Sequence, residues 1–214
     1  MCMRKTQGAK DAVFRPAGAL TENRGFFILV TGQKARETEV FTVNIFLTGP
    51  VQIGKSTAIR RVLSANPAVR LGGFATKNLP SASDGAVREV YILPPVWTKA
   101  DLLPSRVAAR CADGVWERRP EVFDRVGTAF LAAPGPFDLL LMDELGRLEL
   151  GAAAFRAAVL SALDGPVPVL GVVKPEHNPF LDAVRAHPRT LVLEVTAENR
   201  DGLPARIGAL LSAR

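Results

Sequence analysis

The sequence predicts an α/β fold of three layers, with a mainly parallel central sheet between helices and a small β-hairpin at one side. Two observations carry that prediction. From Val43 onward, strand-like and helix-like runs alternate, which is the pattern of βαβ crossovers in a parallel sheet. The later strand-like runs, such as Leu139-Leu140-Leu141-Met142, are continuously apolar rather than alternating, as strands covered on both faces must be.

Taken in order, Val43 to Thr48 is a first strand, and Ser56 to Leu63 has helical patterning. Val69 to Thr76 and Ala86 to Leu93 read as two strands joined by the turn-rich segment 79–85, hence the hairpin. Residues 94–118 hold four Pro or Gly positions and little periodicity, and are expected to be irregular. Pro120 can open a helix, since its missing N–H is unneeded there, and Val122, Phe123, Val126, Phe130 and Leu131 then share one face. Phe137 to Met142 is a strand, Ala152 to Leu163 a helix, Val167 to Val173 a strand and Pro179 to Ala186 a helix. Thr190 to Val195 is the last strand and Asn199 to Leu211 the last helix. Residues 1–42 mix Gly, Lys, Thr and Glu around one short apolar cluster, Phe26 to Val30. They read as a disordered extension, or as a start assigned too far upstream, leaving 43–214 as the folded domain.

Between the first strand and first helix lies Gly49-Pro50-Val51-Gln52-Ile53-Gly54-Lys55-Ser56-Thr57. A small-residue turn leading into a helix N-terminus points successive backbone N–H groups at one anion, which makes this a phosphate-binding P-loop. Lys55 adds a point charge on the outer phosphates of a nucleoside triphosphate, and the Ser56 hydroxyl is placed to ligate Mg²⁺. The fold class is therefore that of a P-loop nucleoside-triphosphatase.

A buried strand that runs into Asp143-Glu144 delivers both carboxylates to the carboxyl edge of the sheet, where ligands of such sheets collect. Asp143 is expected to hold Mg²⁺ opposite Ser56. Glu144, one residue on, is suited to orient or deprotonate an attacking water. The expected reaction is Mg²⁺-dependent hydrolysis of ATP, GTP or other nucleoside triphosphates to diphosphate and phosphate, with Glu144 and Lys55 as the catalytic pair. Two alternatives stand beside it: a nucleotide or nucleoside kinase with its acceptor over 77–118, and a nucleotide-dependent switch associated with nucleic acid.

The net charge is +6, but residues 1–42 carry seven Lys/Arg against four Asp/Glu, so the surplus is spread along the chain. No basic block or basic-aromatic stripe appears, so nucleic acid is a possible partner but not the favoured one. No apolar run approaches the ~20 residues of a membrane helix. Cys2 and Cys111 are too isolated for a disulfide framework, and a cytoplasmic protein is expected. No protein partner or donor of an arginine finger can be named from the residues.

Asp143-Glu144-Leu145-Gly146-Arg147-Leu148-Glu149-Leu150 resembles the D-E-[IL]-G-x-M-E-L signature of the nucleoside-triphosphatase family first known from thermophiles, whose vertebrate member is the cancer-related nucleoside-triphosphatase. Gly73-Phe74-Ala75-Thr76 and Val195-Thr196-Ala197-Glu198-Asn199-Arg200-Asp201 are similar to two further motifs of that family, in the same order. The resemblance implies a RecA-like or kinase-like core that hydrolyses nucleotides slowly, with Mg²⁺ and loose base preference. Gln52 departs from it, standing where many members have a second Gly. Glu149 resembles the family's second carboxylate or is a solvent-facing charge; Arg147 is a candidate for stabilising charge. Lys174 is either a sensor of the γ-phosphate or a surface lysine at a strand end. Asn199 and Arg200 either reach the nucleotide base or belong to a helix cap with Thr196.

Overall fold

The computed structural model describes residues 43–81 and 83–212. The expectation for residues 1–42 lies outside the described residues. Eight strands form one sheet: β1 (Asn44–Thr48), β2 (Leu71–Pro80), β3 (Arg88–Leu93), β4 (Val107–Ala112), β5 (Val115–Arg118), β6 (Leu139–Leu145), β7 (Val169–Val173) and β8 (Thr190–Glu194). Their order is β5-β4-β3-β2-β6-β7-β1-β8. The five strands from β2 to β8 are parallel, and β3, β4 and β5 continue the sheet antiparallel from β2.

Helices cover both faces of the parallel half. Helices α1 (Lys55–Ser64) and α6 (Leu203–Ser212) pack Ala58, Ile59, Val62, Leu203 and Ile207 against Ile45, Leu47, Leu141, Leu170 and Val172. The opposite face carries α2 (Pro120–Val122), α3 (Thr128–Leu131), α4 (Ala153–Asp164) and α5 (Pro179–Ala186). There Phe123, Phe155, Val159, Leu181 and Val184 meet Phe46, Phe74, Met142 and Val169. Successive strand residues point to opposite faces, so with a helix layer on each side both sets must be apolar. That is why β1, β6 and β7 read as unbroken apolar runs. The exception is Asn44, fully buried in β1. Its amide donates to the Leu163 carbonyl at 2.9 Å and its Oδ1 accepts from the Val169 N–H at 3.1 Å, tying β1 to the end of α4.

Three expectations change in detail. Residues 94–118 are not irregular throughout: two 3₁₀ turns lead into the hairpin of β4 and β5. Asp113 (φ 51°) and Gly114 (φ 78°) turn it, the left-handed pair that a two-residue hairpin loop requires. The helix from Pro120 passes through a π-helical turn, Phe123–Gly127, between α2 and α3. The last helix begins at Leu203 rather than Asn199, because 197–202 is a chain of turns, and Pro204 then sits in the first turn where no N–H is needed.

One feature of β2 shapes the site. It pairs with β6 only as far as Ala75 opposite Asp143, then runs five residues further to Pro80, roughly 16 Å at the usual rise per residue. The overhanging half of β2, with β3, β4 and β5 bonded to it, stands as a wall beside the carboxyl edge of the parallel strands.

Candidate active site

The loop between β1 and α1 is held against the chain after β8. Gly49 has φ 131°, and a Cβ there would lie 2.7 Å from the Val195 carbonyl oxygen, so both conformation and space require glycine. Pro50, Val51 and Gln52 are exposed at the crest; Ile53 and Gly54 lead into the helix. The Lys55 ammonium folds back onto the loop, donating to the carbonyls of Gly49 at 2.7 Å and Pro50 at 2.6 Å. Burial lowers its pKa, with the charge of Glu144 opposing the shift. Thr57 Oγ1 accepts from Arg60.

β7 lies between β1 and β6, so the loop and the Asp143-Glu144 pair face each other across one strand. Ser56 Oγ donates to Asp143 Oδ1 at 3.1 Å, which brings together the two oxygens expected to share a cation. They are hard donors, and Mg²⁺ commonly takes only one or two protein oxygens, completing its shell with phosphate and water; the donor set fits it. Among the described residues no group of three or more His, Cys, Asp or Glu is arranged to hold a metal ion by itself.

Glu144 is fixed at its backbone by Thr76 of β2, whose hydroxyl accepts from Glu144 N at 2.8 Å and donates to Glu144 O at 3.0 Å. Its carboxylate is 2.9 Å from Lys174 Nζ at the end of β7, which places Lys174 beside the candidate base. Glu149 is buried in a 3₁₀ turn, where its Oε2 accepts from Gly146 N at 2.9 Å. Burial pushes its pKa up to about 7, against the pull of its hydrogen bonds and Lys174. The folded chain thus keeps a proton that the unfolded chain, ordinary at 4.5, has lost. Stability conferred by that proton declines as pH rises from 4.5 through about 7. Glu149→Gln is expected to be more stable than the parent above that range, by on the order of 3 kcal/mol, and to converge with it in acid. Thermal unfolding of both chains across pH checks this, and curves that run parallel at every pH refute it.

Lys77 is a candidate site residue that the sequence reading missed. Its ammonium lies 2.7 Å from Asp143 Oδ2, so it neutralises the carboxylate that Ser56 touches. The adjacency comes from β2 lying beside β6, a tertiary fact with no local signal. Asn199 and Arg200 are placed differently from each other. Asn199 Oδ1 accepts from Thr196 N, its amide donates to Glu194 O, and its own N–H donates to Thr196 Oγ1, all within one turn. Arg200 lays its side chain along Gly54, with Cδ 3.9 Å from where a Cβ would stand.

A cavity of about 740 Å³ opens over these groups. The loop, Lys55, Ser56, Glu144, Arg147, Glu149 and Lys174 line one side, and Thr76, Asn78, Val90, Trp116 and Arg118 of the overhanging wall line the other. No helix among the described residues is long and apolar enough to cross a membrane.

A glycine-turned loop at a helix N-terminus, facing paired carboxylates across a parallel α/β sheet, defines the class of P-loop nucleotide-binding proteins. Residues 44–208 match the family described as NTPase. The nucleoside-triphosphatase THEP1 of Methanosarcina barkeri is 30% identical over 168 residues, covering 77% of this chain and 95% of that protein. That of Thermofilum pendens is 28% identical over 171 residues, 77% of this chain and 92% of the other. Among solved structures, the human cancer-related nucleoside triphosphatase superposes with a TM-score of 0.57 at 25% identity, over 80% of this chain and 99% of that one. THEP1 from Aquifex aeolicus shares the fold, with a TM-score of 0.58 at 20% identity over 79% of this chain and 99% of its own. The chain belongs to the NTPase family, hydrolases of phosphoric anhydride bonds.

Proposed function

We propose that residues 43–214 form a Mg²⁺-dependent phosphohydrolase that converts ATP, GTP and other nucleoside triphosphates to diphosphate and phosphate in the cytoplasm. The observation that carries this is the placing of Glu144 by Thr76 and Lys174, one residue from an Asp143 already bonded to Ser56. In the mechanism, the N–H groups of the loop grip the β- and γ-phosphates, and Lys55 exchanges its two loop carbonyls for phosphate oxygens. Ser56 and Asp143 would hold Mg²⁺, which would supply neutralisation of phosphate charge. The Glu144 carboxylate accepts a proton from water as that water attacks the γ-phosphorus. The bond to the β,γ-bridging oxygen breaks and the diphosphate leaves. Lys174, released from Glu144 by that proton transfer, stays beside the γ-phosphate. Arg200 along Gly54 is the better candidate for contact with the nucleotide, since Asn199 is committed to its turn.

Phosphate release, followed with Mg²⁺ and each of ATP, GTP, CTP and UTP, tests the proposal. Lys55→Ala is expected to lose both nucleotide affinity and turnover, and an unchanged ATP affinity there would count against the loop. Lys77 sits on the carboxylate assigned to the cation, so the two compete. In Lys77→Met the Mg²⁺ concentration giving half-maximal turnover is expected to fall, by roughly five-fold or more, the lower end of ordinary site-to-site coupling. A Mg²⁺ titration that overlays the parent's would sink the competition.

A further inference from the structure

The overhanging wall gives the cavity more than a triphosphate site uses. Register places Asn78, Val90, Ala109 and Arg118 in one row across β2 to β5, and Arg88, Cys111 and Trp116 two rows on, where the pleat returns to the same face. Arg88 is engaged, donating to Asn78 Oδ1 and to the Asn78 carbonyl. Trp116 is 38% exposed, a large apolar ring on the cavity side. The guanidinium of Arg118 has no hydrogen-bond or ion-pair partner among the described residues, and neither has that of Arg147 on the opposite lip. Lys55, Lys77 and Lys174 already supply cations beside the loop. A partly exposed indole with two unpaired guanidiniums around one cleft suits a ligand with an aromatic ring and a compact double negative charge.

We propose that the cleft between the wall and the loop binds a second ligand, a nucleoside monophosphate, with its base against Trp116 and its phosphate held by Arg118 and Arg147. The assignment rests on the loop holding the triphosphate, which leaves the wall free for another molecule.

Trp116 supplies its own signal. The chain has two tryptophans, and the other, Trp97, is packed against the Tyr91-Leu93-Val107 cluster. AMP and GMP are titrated into the full chain, with and without a saturating non-hydrolysable ATP analogue and Mg²⁺, while tryptophan fluorescence is followed. Equilibrium dialysis of labelled AMP runs in parallel. Saturable quenching is expected that persists with the analogue bound and vanishes in Trp116→Phe. Dialysis should show a roughly five- to hundredfold loss of AMP affinity in Trp116→Ala, the range of a lost base stack, a loss in Arg118→Ala, and partial recovery in Arg118→Lys. These substitutions lie on an exposed edge strand, and circular dichroism confirms that each chain is folded. AMP that the analogue displaces one for one overturns the proposal, as does AMP binding indifferent to both wall residues, no AMP binding at all, or quenching by single-stranded oligonucleotide alone. Failure of the analogue to bind the parent chain would defeat the triphosphate reading by itself, while the AMP titration without analogue still reports on the wall.

Discussion

Glu144→Gln is expected to bind nucleoside triphosphate as the parent does and to release phosphate about 10²–10⁴ times more slowly, the usual worth of a positioned general base. The substitution isolates the proton. Thr76 holds Glu144 through backbone N–H and carbonyl, contacts that a change of side chain leaves in place. A Gln of the same size still offers Lys174 a carbonyl oxygen where Glu144 Oε1 now sits at 2.9 Å. What is lost is the ability to take a proton from water. Retained affinity in equilibrium binding, set beside lost turnover in the same preparation, is the expected pair of readings. Parent-like turnover in Glu144→Gln would remove Glu144 from the role of base and turn attention to Glu149 and Glu176, the other carboxylates lining the cavity.

Gly73→Ala is expected to cost more than about 3 kcal/mol of stability, in the range reserved for strained backbone and core overpacking. Gly73 has φ 87°, and a Cβ built there would fall on the carbonyl oxygen of Leu141 in the neighbouring strand. Neither atom can retreat, because both belong to the backbone of central strands. The damage reaches the site directly, since Gly73 lies three residues before Thr76 on the same strand. Gly85→Ala is the matched control, because nothing lies within 4 Å of that position and its φ is unremarkable. Denaturant unfolding of the two variants should place them far apart, with Gly73→Ala recovered in inclusion bodies as the extreme case. Similar unfolding midpoints would show that the β2–β6 pairing tolerates a side chain.

The parallel half of the sheet was legible because burial on both faces leaves its mark on every residue of a strand, as in Leu139 to Met142. β4 and β5 were not. Their strands are short, β5 is exposed throughout, and Arg110, Cys111, Glu117 and Arg118 give no apolar alternation. The readable signal was the Asp113-Gly114 pair, a hairpin turn whose flanking strands hid it. In the site, the loop could be read because its chemistry needs fixed spacing along the chain. Asp143 and Glu144 could be read because a buried strand has to deliver them to the sheet edge. Lys77 and Thr76 could not, since each acts on a residue more than sixty positions away that only strand order brings near. Glu149 stood open between a second carboxylate and a surface charge, and its burial at 2% exposure decides against the surface. The 3₁₀ turn that hides it follows a strand end, where sequence carries no periodicity to show which way a side chain faces.

The wall that flanks the cleft is not a loop. Because β2 runs five residues past its last pair with β6 and is bonded along that length to β3, the far side of the cavity already has fixed backbone before any ligand arrives. Ordering a flexible lid commonly costs about 1–2 kcal/mol of conformational entropy for each residue fixed. A sheet built past its own edge avoids that cost on one side of the cleft, so the affinity of whatever binds there is set by the side chains on the wall and little diminished by backbone ordering.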